Sequence, residues 1–229
     1  MHCVSDRSLT IAGPTTAMQQ KAQATHGIKM MEDTANQRTA RCDERRSKLI
    51  ATARRLFANQ GFHLTGVSQI ARESGIAVGQ IYRDFASKEA VIAAICEESL
   101  QVWLEEETLN RAIAEDDKVT ITDWITHLLE EECEFEERRM LMEIMAEAGR
   151  SESIAQINAC ILGRFRPQLN RALTSIAPHL DESARTLIIN LVQVLSWGIA
   201  AGEQLDPAMD RAALRTYVTT LVWREIGID

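Results

Sequence analysis

Long apolar runs, prolines and closely spaced cysteines are all scarce in this chain, and each scarcity closes off a class of protein. No run of about 18 consecutive apolar residues occurs; the nearest approach, residues 187–201, is broken by Asn190, Gln193 and Ser196. A membrane-spanning segment is therefore not expected. Residues 1–20 alternate small, polar and charged side chains without the apolar core of a secretory signal, so the expected location is cytoplasmic. The five cysteines, Cys3, Cys42, Cys96, Cys133 and Cys160, are odd in number and include no C-x-x-C pair. Reduced thiols fit that spacing better than a disulfide framework or a zinc site. The five histidines are scattered, and there is no H-E-x-x-H, G-x-S-x-G or phosphate-cradling glycine loop. That argues against an enzyme with a helical catalytic domain, and no metal or cofactor is expected.

Only four prolines occur, and the stretches between them repeat apolar residues at three-and-four spacing with no sustained alternation. The expected fold class is all-α. Formal charge is −8, which at first opposes nucleic-acid binding. It is unevenly spread: residues 1–40 carry 4 basic and 3 acidic side chains, residues 41–92 carry 9 and 5, and residues 93–229 carry 12 and 25. A segment of net +4 thus precedes a body of net −13, the asymmetry of a polyanion-binding part joined to a part with another task.

Residues 1–40 are rich in Thr, Ala, Gln and Ser and read as a flexible extension; the adjacent Met30 and Met31 offer an alternative start. From Arg45 the pattern sharpens. Leu49, Ile50, Ala53, Leu56 and Phe57 form one apolar stripe, and Gly61 ends that helix. Residues 66–85, GVSQIARESGIAVGQIYRDF, then place two short helices either side of Gly75, the form of a helix-turn-helix. Ile70, Ile76 and Ile81 face inward, leaving Val78, Gly79, Gln80, Tyr82 and Arg83 outward. Gln can pair with adenine, Arg with guanine, and a tyrosine hydroxyl with a phosphate. Ser87 is placed to cap a long fourth helix through Trp103.

The run ARRLFANQGFHLTGVSQIARESGIAVGQIYRDFASKEAVIAAI resembles the DNA-binding domain of the TetR family of transcriptional regulators, over about residues 45–103. The resemblance implies a three-helix DNA-binding domain at residues 41–103 and a helical effector-binding and dimerisation domain at 104–229. It implies phosphate contacts from Thr65 and Lys88, and recognition-helix contacts from Gln80, Tyr82 and Arg83. Arg46 is a further candidate for a phosphate. Ala77 departs from the family, which usually caps the recognition helix with Ser or Thr there.

In the acidic body, helices are expected near residues 122–135, 137–149, 153–176, 181–202 and 206–226, with Asp181 and Asp206 as caps and Pro207 in the first turn of the last. Residues 185–202 are apolar nearly all round, so both sides of that helix need cover. Leu187, Leu191, Val194 and Leu195, with Leu214, Tyr217, Val218 and Leu221 of the last helix, are the expected two-fold dimer seam. Trp103, Trp124, Met142, Glu143, Phe165, Gln193 and Trp197 are candidates to wall a small-molecule effector pocket, a packed helical core being the plainer reading for any one of them. The acidic run 130–137 reads as a solvated face. Expected partners are double-stranded DNA, a second copy and an effector, in a repressor released from a near-palindromic operator. A DNA-binding regulator without an effector is the alternative.

Overall fold

A computed structural model describes the backbone of residues 15–130, 135–206 and 208–227, and side chains for residue 37, 39–130, 138–202, 206 and 208–227. Among the described residues there is no strand, as an all-α chain requires. The chain divides into two compact units, Met1–Ser47 and Lys48–Asp229. Helix α1, Thr15–Gln60, begins well upstream of the point where the apolar stripe starts. Residues 15–26 are mostly helix-favouring Ala, Gln, Lys and Met with no proline, so an absent apolar stripe did not mean absent helix. In the first unit, Arg45 Nη2 donates to Cys42 Sγ at 3.2 Å.

The second unit holds the rest of α1 and nine further helices among the described residues. They are α2 Val67–Ser74, α3 Val78–Asp84, α4 Lys88–Leu104, α5 Glu106–Ala114, α6 Lys118–Glu130, α7 Phe135–Ala148, α8 Glu152–Ile176, α9 Glu182–Leu205 and α10 Arg211–Ile226. The expected caps at Ser87 and Asp181 are present: Ser87 Oγ accepts from Ala90 N–H and Asp181 Oδ1 from Ala184 N–H. The expected cap at Asp206 is not. Asp206 closes α9 instead, and Asp210 caps α10 by accepting from Ala213 N–H at 3.0 Å. Both aspartates are chemically able to cap; the continuation of α9 to Leu205 decides between them. Pro207 and most of the acidic run 130–137 lie outside the described side chains.

Two cores organise this unit. One packs Leu49, Ile50, Leu56, Phe57, Ile70, Ile81 and Ile95 beneath α1 to α4, and it is completed by Met140 and Ile144 of α7 and Ile154 of α8. The other joins α4 to α6 with α8, α9 and α10 around Leu109, Ile125, Leu169, Val192 and Val222. Residues Glu182–Gly202 of α9 are, by length and composition only, apolar enough to cross a membrane, with mean hydropathy 1.4, a test that a core helix also passes. The helix packs on α8 and α10, and much of its other side is uncovered.

Burial decides the chemistry of the cysteines whose side chains are described. Cys96 is buried in the first core and burial pushes its thiol up to about 12, whereas Cys42 and Cys160 are exposed. A thiol reagent at pH 8 should therefore label Cys42 and Cys160 in the native protein and Cys96 only after denaturation, as read by peptide mass spectrometry. Native labelling of Cys96 at the rate of the other two would contradict this packing.

Candidate nucleic-acid interface

The helix-turn-helix is built around its turn. Gly75 sits in the left-handed region at φ 73°, its N–H bonded to Ala71 O at 2.9 Å, which closes α2. Ser74 supports the reversal by accepting from Ile76 N–H at 3.3 Å. Ile70, Ala71, Ile76 and Ile81 are buried beneath the pair, so α3 must turn its other face outward. Neither α2 nor α3 has a side-chain cap, as Gly66 and Ala77 dictate. On the back of α2, Arg55 of α1 pairs with Glu73 at 2.7 Å and holds its carboxyl below the usual carboxylate range.

The outward face of α3 carries the expected residues. Val78 and Arg83 are exposed, Tyr82 is 54% exposed, and a Cβ on Gly79 would meet nothing within 4 Å. Gln80 is half-buried and already engaged: Arg83 Nη2 donates to its Oε1, and its Nε2 donates to Asp84 Oδ1 at 2.9 Å. Its amide is held in one orientation by these bonds, which leave one N–H donor and one acceptor lone pair for a base. Lys48, not singled out from the sequence as a contact, holds its ammonium 3.9 Å from the point where a Cβ on Gly75 would stand. With exposed Arg72 and Arg83 it adds positive charge around the turn. Its place opposite the Leu49 stripe was the available signal.

Two residues expected to contact phosphate have their polar groups committed within the chain. Thr65 is 0% exposed and its hydroxyl donates to Gly61 O at 2.9 Å, satisfying a carbonyl left at the end of α1. Lys88 is turned inward: its Nζ donates to Phe62 O at 2.8 Å and stands 3.9 Å from the Phe62 ring centroid, and burial lowers its pKa. Arg46 is exposed but belongs to the unit Met1–Ser47, not to the unit that carries the other residues of this face.

Three of the expected effector residues, Trp103, Trp124 and Phe165, share one core. Trp124 is buried with its indole N–H on Leu104 O at 2.6 Å, while Trp103 stacks on Phe165 at 5.5 Å beside it. Gln193 accepts with Asn190 from Arg166 Nη1, at 3.0 and 2.8 Å. The polar stripe of α9 thus finds its partner within the chain. Glu143 lies at a void of about 10 Å³ lined by Phe57, Phe62, Ile92 and Met140, room for one water. Met142 and Trp197 are half-buried. Along the expected dimer seam, Leu187, Val194 and Tyr217 are each 66% exposed, and Leu191, Leu195, Leu214 and Leu221 are half-buried. Val218 is the correction: it is buried in its own core beside Val222.

Comparison with known proteins fits this geometry. Residues 49–95 match the family model described as bacterial regulatory proteins, tetR family. The uncharacterized HTH-type transcriptional regulator YerO of Bacillus subtilis is 44% identical over 55 residues, 24% of this chain and 19% of that protein. The HTH-type transcriptional regulator UidR of Escherichia coli K12 is 28% identical over 151 residues, 57% of this chain and 74% of its own. Among solved structures, the triclosan complex of SmeT, repressor of a Stenotrophomonas maltophilia multidrug efflux pump, superposes with a TM-score of 0.66 at 16% identity, covering 79% of this chain and 90% of that one.

The burial of Thr65 separates stability from DNA contact. Thr65→Val should cost about 1 kcal/mol of unfolding free energy in denaturant titration while leaving the slope of log affinity against log salt unchanged. A slope reduced by about one unit would return Thr65 to the phosphate contacts.

Proposed function

We propose that the chain, whose residues 49–95 match the model of the tetR family of bacterial regulatory proteins, is a DNA-binding transcriptional regulator of that kind rather than an enzyme: a cytoplasmic homodimer that represses transcription from a near-palindromic operator until a small-molecule effector releases it. The observation that carries the DNA reading is Gly79. A glycine inside a helix costs about 0.5–1 kcal/mol relative to alanine, and here nothing within 4 Å of a Cβ accounts for it. Close approach of the α3 face to a DNA backbone does. Tyr82, left more than half exposed beside it, and Arg83 supply a phosphate and a base contact, with Val78 against a thymine methyl. Gln80 reads a base with the N–H and lone pair that Asp84 and Arg83 leave free.

A single head with so few cations binds weakly, and a two-fold pair reading grooves about 34 Å apart supplies the missing affinity. The uncovered side of α9 and α10 supports that pairing. Leu187, Leu191 and Val194 continue along one line with Gly198, and Tyr217 lies between exposed Thr216 and Thr220. Large apolar groups beside small ones let helices of a second copy approach closely. Release by an effector draws support from SmeT, whose structure holds triclosan. In this chain the stacked Trp103 and Phe165, where α4 ends against α8, are the flat apolar surfaces best suited to such a molecule.

Two variants test the reading. Gly79→Ala should leave thermal stability equal or raised, by roughly 0.5–1 kcal/mol, yet weaken binding to a duplex selected from a random pool by the wild-type protein; unchanged binding would remove α3 from the groove. Val194→Asp should sediment as a folded monomer and bind the same duplex about 100-fold less tightly. A wild-type protein that sediments as a monomer would defeat the pairing.

A further inference from the structure

We propose that Glu143 and Glu147 of α7 are positioning residues for DNA binding: together they grip the α1–α2 loop, residues 61–66, and set where α2 and α3 stand. This rests on the DNA-reading function proposed above. The loop reads Gly-Phe-His-Leu-Thr-Gly and contains no acid of its own. Gly61 ends α1 at φ 80°, and the next peptide leaves without a helical partner for its N–H. Glu143 Oε2 accepts that Phe62 N–H at 3.2 Å, while Lys88 Nζ of α4 donates to Phe62 O at 2.8 Å. Both backbone polar groups of Phe62 are thus tied to helices outside the reading pair.

One residue on, His63 Nε2 lies 2.7 Å from Glu147 Oε2. Glu147 is only 8% exposed, and Arg150 Nη2 approaches the same oxygen at 3.4 Å. A buried carboxylate is costly unless paired, and here its partners are the loop's only ionisable side chain and an arginine on its own helix. The approach is close on the backbone side as well: a Cβ on Gly61 would stand 3.1 Å from the Glu143 carboxylate. From this anchored segment the chain reaches α2 within a few residues, with Thr65 Oγ1 bonded back to Gly61 O. Because α2 has no side-chain cap, the loop's position is what fixes where it starts. Ile70, Ile76 and Ile81 then carry that placement to α3.

The test uses the full chain, the duplex it selects from a random pool, and a scrambled duplex of equal length. Its readout is the ratio of the two affinities. Partial unfolding lowers both affinities together and leaves the ratio unchanged, whereas a misplaced head lowers the ratio. Glu143→Ala and Glu147→Ala should each reduce it about tenfold. Glu143→Gln and Glu147→Gln lose the same charge but keep an acceptor oxygen, and should stay within about threefold of wild type. His63→Ala removes one contact from the solvent side, so it remains informative if an α7 variant fails to fold; it should lower the ratio alone and add nothing to Glu147→Ala. An unchanged ratio in His63→Ala and in the folded alanine variants, or equal losses in alanine and glutamine, overturns the positioning role and leaves the DNA function standing. A wild-type protein with no preference between the duplexes overturns both.

Discussion

The burial of Phe57, Phe62 and Ile92 against Met140 and Ile144 is the contact on which the reading head depends. Three short helices of about fifty residues bury too little surface to stand alone. Each large side chain fully removed from water contributes about 1.5–3 kcal/mol, so the few residues lent by α7 and α8 are comparable with the whole margin of a small domain. The void at this junction, about 10 Å³, has room for about one water. The head therefore includes part of what the sequence assigns to the body. Its boundary in space is not its boundary along the chain.

Charge is sorted in the same way. The segment 41–92 carries the positive excess and the body the negative one, yet the positive charges are not equally available. Arg55 is committed to Glu73, and Lys88 to the Phe62 carbonyl and ring. Lys48, Arg72 and Arg83 are exposed around the turn and α3. In the body the polar side chains of α9 are likewise used internally, Asn190 and Gln193 both meeting Arg166. What α9 leaves uncovered includes the large apolar side chains Leu187 and Val194. Internal pairing thus leaves exposed cations around α3, and exposed Leu187, Val194 and Tyr217 among small and polar residues along α9 and α10.

Local chemistry was legible in the sequence. The Leu49 stripe, the glycine turn at Gly75, the caps at Ser87 and Asp181, and the outward set on α3 each follow from neighbours a few residues away. Misread features depend on partners that periodicity cannot supply. Asp206 lost the cap of α10 to Asp210 because α9 runs on. Val218 turned inward because the core beside Val222 had room for it. Glu143 and Glu147 meet the loop across 81 and 84 residues of chain, and no local pattern links them. The candidate effector residues show the same dependence: aromatic content marks core, and only three-dimensional placement shows that Trp103 stacks on Phe165 while Glu143 lies beside Phe57 and Phe62.

Thr65 and Lys88 show what resemblance alone carries over: a position, but not the commitment of its atoms. Both face inward here, and both end on the backbone of the α1–α2 loop, Thr65 at Gly61 and Lys88 at Phe62. Glu143 and Glu147 converge on the same loop from α7. Helices α4, α8, α9 and α10 each open on a serine or aspartate that accepts a backbone N–H, worth about 0.5–2 kcal/mol, whereas α2 and α3 open on Gly66 and Ala77 and have no such bond. Like α5, the two helices of the helix-turn-helix have no side-chain cap to fix where they start. Their start is imposed by packing beneath Ile70 and Ile81 and by the anchored loop ahead of them, so the geometry of reading is determined from outside the reading pair.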